Sequence, residues 1–156
     1  MVLASPIAHI CNISLRSGDF PDVFKQGIIH PVYKGDGKDP HDPGSYRPIS
    51  ILPSLSKIFE IVVRDALLDW LKSQNFIPDT QFGFLPGRSV TMALACAQND
   101  WVSAKASGNT VGVLAFDLSA AFDCVSKPIL LAKLKSTGIA GVPLKWFNSS
   151  RTEMLN

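Results

Sequence analysis

The sequence has no apolar run of the roughly 18 residues that a membrane-spanning helix needs. Its N-terminus, Met1-Val2-Leu3-Ala4-Ser5-Pro6, lacks the basic region and continuous apolar stretch of a signal peptide. Cysteine is scarce: Cys11, Cys96 and Cys124 are far apart and odd in number. They fit neither a disulfide framework nor a zinc knuckle, so buried free thiols in a reducing compartment are expected. His9, His30 and His41 have no partner at metal or triad spacing, and no Ser-His-Asp or Cys-His arrangement can be argued. Charge of one sign is also short, since a net charge of +2 is by itself no argument for nucleic acid. There is no internal repeat and no low-complexity tract.

What is present is enough for a folded domain. The chain has 156 residues, of which 46% are hydrophobic and 18% charged, a balance that excludes disorder. The basic residues are unevenly placed. From Lys127 onward the chain carries Lys127, Lys133, Lys135, Lys145 and Arg151 against Glu153 alone. Such a segment is either a solvated helix face or a surface that follows a phosphate backbone.

Hydrophobic periodicity and breakers order the elements. A first helix is expected with Ser5 as N-cap, Pro6 at its first position and Gly18 as terminator, with Ile7, Ile10, Cys11 and Ser14 on one face. Phe20-Pro21-Asp22 starts a short helical segment. Gly27 to Lys34 is rich in β-formers, with Pro31 placing it at a sheet edge. A polar loop from Gly35 to Tyr46 leads to a second β-rich run, Arg47 to Leu52, which together predict an antiparallel hairpin. Pro53-Ser54 opens a helix to about Ser73, with Leu55, Ile58, Phe59, Val62, Ala66 and Trp70 as its stripe. After a Gly- and Pro-rich loop, Ser89 caps a further helix through about Ala104, whose Met92, Cys96 and Ala97 form one stripe. Val111 to Ala115 reads as a buried strand ending at Asp117, followed by helices from Pro128 to Ser136 and from Pro143. The fold class is α+β, and the Val111 strand demands neighbours that the sequence does not obviously contain after it.

The stretch Phe116-Asp117-Leu118-Ser119-Ala120-Ala121-Phe122-Asp123 carries the most chemistry. A carboxylate at the edge of a sheet is how many phosphoryl-transfer enzymes grip Mg²⁺, and Asp117 is such a candidate. It is equally a residue type that caps strands and turns. Two-metal catalysis needs several oxygen ligands, so further carboxylates must come from elsewhere. Phe122 is either a core residue or a flat platform against a sugar ring, able to exclude a 2′-hydroxyl by sterics. Arg47 and Lys34 face each other across the hairpin loop and could clamp a triphosphate, one by a bidentate fork and the other as a point charge. Gln81-Phe82-Gly83-Phe84-Leu85-Pro86-Gly87-Arg88-Ser89 is either a cradle for a phosphate or stacked base, or a loop-to-helix junction pinned by Phe82 and Phe84.

Taken together, these segments resemble the reverse transcriptase domain of non-LTR, long-interspersed, jockey-like retrotransposons. Phe20-Pro21-Asp22-Val23-Phe24-Lys25 and Ile29-His30-Pro31-Val32-Tyr33-Lys34-Gly35 are similar to its opening blocks. Ser45-Tyr46-Arg47-Pro48-Ile49-Ser50-Ile51-Leu52 with Lys57-Ile58-Phe59-Glu60, then Gln81 to Ser89, then Phe116 to Asp123 follow in the family's order. The resemblance implies a partial right-hand polymerase fold. Fingers and the fingers–palm connection would occupy about 20–110 and the start of the palm about 111–156, without thumb or remaining palm.

By the same resemblance Asp117 is a catalytic Mg²⁺ ligand, Phe122 sits at the sugar-discriminating position, and Arg47 and Lys34 contact the nucleotide's phosphates. Gln81, Gly83 and Arg88 would lie along the template-primer. The implied reaction joins deoxynucleoside triphosphates to a DNA primer on an RNA template, inside the cell, in nucleus or cytoplasm. The family completes its metal site with an Asp-Asp pair, and no such dipeptide occurs in this sequence. The chain is therefore expected to be a fragment, inactive on its own. The alternative is a dead relic with at most weak nucleic-acid binding.

Overall fold

The computed structural model describes residues 2–118, 121–122 and 124–150. The chain falls into two compact units. One is built from residues up to Leu68 together with those from Ser126 onward, and the other is Asp69–Val125. The architecture is mixed, with five α-helices and one two-stranded sheet among the described residues.

In the first unit, α1 (Ala4–Ser17) starts two residues earlier than expected, and Ser5 does not cap it. Leu3 stands at the cap position without a side-chain bond, because Pro6 lies inside the first turn and leaves fewer N–H groups to satisfy. Gly18 ends the helix in the left-handed region, its N–H donating to Ser14 O at 2.9 Å. A Cβ there would also meet Val142 O at 2.9 Å, so the glycine lets α1 approach α5 (Gly141–Ser150). The core sits at this junction. Cys11, Phe20, Phe59 and Trp146 are buried, and Ile7, Leu15, Phe24, Val63 and Phe147 pack around them. Phe20 meets Phe59 and Trp146 edge-on, with ring centroids 5.5 and 5.3 Å apart.

Polar bonds tie the same junction. The Trp146 indole N–H donates to Ser14 Oγ at 3.0 Å, and that hydroxyl donates to Asp19 O at 2.7 Å. Phe20 N donates to Ser149 Oγ at 3.0 Å. Each buried donor thus has an acceptor, as burial requires. Burial pushes the Cys11 thiol up from its ordinary pKa, because the thiolate would lose its hydration. Phe59 comes from α2 (Ser54–Ser73), which begins where Pro53-Ser54 was expected to open it. α4 (Lys127–Ser136) lies against α5 and buries Leu134.

The predicted hairpin is present. β1 (Ile28–Tyr33) and β2 (Tyr46–Ile51) pair antiparallel, with Ile28 opposite Ile51, Pro31 opposite Pro48 and Val32 opposite Arg47. Two opposed prolines remove two ladder donors at one rung, which suits a two-stranded ribbon with open edges.

The second unit departs from the sequence reading. α3 (Val90–Ala106) forms with Ser89 as N-cap, its hydroxyl accepting from Met92 N at 3.2 Å. None of its residues is buried, so the Met92, Cys96 and Ala97 stripe finds no core. Apolar residues are spread around this helix, and no single face concentrates them. Residues 111–118 form no strand. A ladder needs a partner, and the only sheet among the described residues is the β1–β2 ribbon. The expectation of three buried thiols is corrected in the same way. Cys11 is buried, whereas Cys96 and Cys124, in this unit, are exposed.

Candidate functional site

The candidate residues fall into the two units, and each unit brings some of them together. In the first, the hairpin register places Lys34 and Arg47. Directly opposed residues in an antiparallel pair share a face, so Arg47 lies on the face of Val32. Lys34 is two residues beyond Val32, and its N–H donates to Ser45 O at 2.8 Å, continuing the ladder. Alternation then puts Lys34 on the same face as Arg47, a diagonal neighbour at about 7–8 Å between backbones.

The tip between them is tied down. Tyr33 and Tyr46 pack with ring centroids 5.5 Å apart. Their hydroxyls donate to the carbonyls of Lys38 and Pro40. Asp42 accepts from Gly44 N at 2.9 Å, and the Lys34 ammonium donates to Gly44 O at 2.6 Å. Lys34 therefore spends one of three donors on the loop and keeps two. Arg47 is exposed and enters none of the four ion pairs among the described residues.

In the second unit, the loop before α3 is organised around Arg88. Its guanidinium lies 5.5 Å over the Phe82 ring. Nη1 donates to the carbonyls of Asp79 and Gln81, the latter at 2.8 Å, and Nη2 reaches Asp79 Oδ1 at 3.3 Å. The Gln81 side chain also turns inward, donating to Gly83 O at 3.4 Å. Asp79 had no role in the sequence reading. Its partner lies nine residues away, a spacing that no local pattern flags. Phe82 is half-buried under the arginine, as a pin would be. Phe84 is not a pin: it is 88% exposed and held at φ +61°.

Phe122 is likewise 77% exposed, which removes the core reading, and it meets the Phe84 ring edge-on at 5.9 Å. Asp117 is exposed, and its carboxylate accepts from the N–H of Leu118 at 2.9 Å. Asp123 lies outside the described residues. Among the described residues no group of three or more His, Cys, Asp or Glu is placed to hold a metal ion. One carboxylate, already bonded to its own backbone, does not make a divalent-cation site. The donor set seen here therefore does not fit a complete metal centre. No helix is long and apolar enough to cross a membrane.

The architecture is a mixed helical fold with a small ribbon, presenting basic and aromatic side chains on loops. The family described as "Reverse transcriptase (RNA-dependent DNA polymerase)" matches residues 33–151, and the chain belongs to it.

Its relatives include the probable RNA-directed DNA polymerase from transposon X-element of Drosophila melanogaster, 35% identical over 131 residues, covering 84% of this chain and 14% of that protein. The RNA-directed DNA polymerase from mobile element jockey of the same fly is 36% identical over 129 residues, covering 83% and 14%. The resemblance to non-LTR, jockey-like retrotransposons is thereby upheld. The chain spans about one seventh of the length of these relatives, from the 14% covered in each. No solved structure gives a significant match.

Proposed function

We propose that this chain is the nucleotide-handling part of an RNA-directed DNA polymerase of a non-LTR retrotransposon. Residues of about 20–110 would act as fingers and of about 111–156 as the start of the palm. The observation that carries the reading is the hairpin register, which sets Lys34 and Arg47 on one face as diagonal neighbours. Two cations so spaced match a polyphosphate, Arg47 by its fork and Lys34 through its two remaining donors. The family match over residues 33–151 supports the same ligand class.

In the complete polymerase a primer 3′-hydroxyl, losing its proton, would attack the α-phosphate of a deoxynucleoside triphosphate on an RNA template, breaking the α–β phosphoanhydride bond and releasing pyrophosphate. Mg²⁺ would neutralise the phosphates and Asp117 would be one of its ligands. The remaining carboxylates must come from outside the described residues. The part these residues play is to hold the triphosphate by charge and to set the nucleotide's orientation.

The test uses the purified chain with poly(rA)/oligo(dT) and thymidine triphosphate. The chain is expected to bind the triphosphate in a salt-sensitive way and to extend no primer. Arg47→Ala is expected to weaken triphosphate binding about tenfold, the scale of losing a hydrogen bond to a charged group. Absence of binding at low ionic strength would sink the reading. Mg²⁺-dependent extension abolished by Asp117→Ala would instead show that the chain carries a working metal site by itself.

A further inference from the structure

The hairpin tip carries charge of the wrong sign for its neighbours. Residues 35–40 include Asp36 and Asp39, two carboxylates only a few residues from Lys34. Laid over Lys34 and Arg47, such a loop would neutralise both cations and take the place of a polyphosphate. In the structure it does not lie there. Val32 and Arg47 are exposed, and neither cation is paired with Asp36 or Asp39 in the four ion pairs among the described residues. Lys34 meets a neutral acceptor instead, Gly44 O at 2.6 Å. Asp42 is committed to its own turn, accepting from Gly44 N at 2.9 Å.

What holds the loop away sits on the other side of the ribbon. Tyr33 and Tyr46 are directly opposed in the register, so alternation puts both on the face turned from Val32 and Arg47. Their hydroxyls donate to Lys38 O and Pro40 O, the second at 2.8 Å. A carbonyl bonded to a tyrosine hydroxyl lies on the tyrosine's side, so residues 38–40 are drawn toward that face. The chain reaches it through three consecutive left-handed residues, Gly35, Asp36 and Gly37, at φ +74°, +59° and +70°. A Cβ on either glycine would meet nothing within 4 Å, so the backbone and not crowding calls for glycine there. Asp36 holds the same conformation with a side chain, which costs free energy and requires a restraint. The two tyrosine bonds supply one.

We propose that Tyr33 and Tyr46 form a latch that keeps an acidic loop off the phosphate-binding face, and that release of the latch turns Asp36 and Asp39 into internal competitors of the triphosphate. Tethered a few residues from the cations, these carboxylates act at a high effective concentration once the loop is free to swing. Both tyrosines are positioning residues: they touch the loop and not the nucleotide. The proposal rests on the reading of Lys34 and Arg47 as triphosphate ligands. Charge separates the latch from a merely structural brace, because removing carboxylates relieves a competitor and does not mend a brace.

The experiment is a cycle of thymidine triphosphate affinities at low ionic strength. It compares the unaltered chain, Tyr33→Phe with Tyr46→Phe, Asp36→Asn with Asp39→Asn, and all four changes together. Phenylalanine keeps the ring pair and removes only the hydroxyls, and asparagine keeps the oxygen that Asp39 offers to His41 N. The tyrosine changes are expected to weaken binding about tenfold, the scale on which two lost hydrogen bonds shift a loop equilibrium. The asparagine changes alone should alter affinity by about twofold at most, and in the phenylalanine background they should restore it to within about twofold of the unaltered chain. A loss that asparagine does not relieve would make the tyrosines a brace and overturn the latch. Unchanged affinity in the phenylalanine variant, with Arg47→Ala still weakening binding, would overturn it too and leave the polymerase reading standing. If the unaltered chain bound no triphosphate, the polymerase reading would fall and the competitor role with it. NMR contacts from the two tyrosine rings to residues 38 and 40 would then decide the loop's placement: loss in the phenylalanine variant supports the latch, and persistence overturns it.

Discussion

The packing around Trp146 and the stretch from Asp69 to Val125 are both rich in apolar side chains, yet they use them differently. Around Trp146, residues from α1, α2 and α5 converge, leaving Phe59 2% and Trp146 4% exposed. From Asp69 to Val125 no described residue is buried, although α3 alone carries Val90, Leu94, Trp101 and Val102. The difference lies in arrangement. α1 and α2 gather their large residues on one side, and Gly18 lets α5 close against α1. α3 spreads its apolar residues around the helix, and the Val111 segment after it has no strand to pair with. Stability in this protein therefore belongs to the first region. The second offers exposed aromatic and charged groups with little packing of their own.

The sharpest way to break this contrast is a pair of truncations. Phe59→Ala should cost about 3–5 kcal/mol in denaturant unfolding, by lost burial and the cavity left behind. Leu94→Ala on α3 should stay within about 0.5 kcal/mol, as for other exposed positions. Equal losses would mean that α3 is buried after all, and the contrast would fail.

A smaller effect sharpens it from the polar side. Ser14→Ala removes the acceptor of the buried Trp146 indole N–H and should cost about 1–3 kcal/mol, read as a lower denaturant midpoint. An unchanged midpoint would show that water replaces the hydroxyl and that the junction is less closed than its geometry indicates. Smaller still, Ser89→Ala should cost about 1 kcal/mol of α3 helicity, seen by circular dichroism. Because α3 packs little, its cap should matter more to helix content than to the main unfolding transition. Concurrent loss of both would show that the two regions unfold together.

Much of the fold could be read from residues alone where the determinants are local. Gly18 stops α1, Pro53-Ser54 opens α2, Ser89 caps α3, and two β-rich runs around a Gly-Pro loop make the hairpin. The reverse transcriptase family was equally legible, since ordered blocks such as Ser45-Tyr46-Arg47-Pro48-Ile49-Ser50 carry it without any fold. Reading failed where distant parts of the chain decide. Val111 to Ala115 has strand composition and no strand, because a ladder is a property of two segments. Phe122 looked compatible with a core and proved exposed. The engagement of Arg88 by Asp79, Gln81 and Phe82 went unread, because no local spacing flags those partners.

The sequence by itself therefore determined the family, the helix ends that Gly18, Pro53-Ser54 and Ser89 set, and the hairpin that carries Lys34 and Arg47 near its tip. Those features depend on neighbours in the chain, where residue type and spacing are sufficient causes. Only the tertiary structure decided that Ser14 would serve Trp146, that Cys11 would be the buried thiol, and that Arg88 would turn inward and leave Phe84 exposed beside Phe122. Each of these is a choice among competing partners far apart in sequence. Burial and hydrogen-bond satisfaction settle such choices only once the chain has folded.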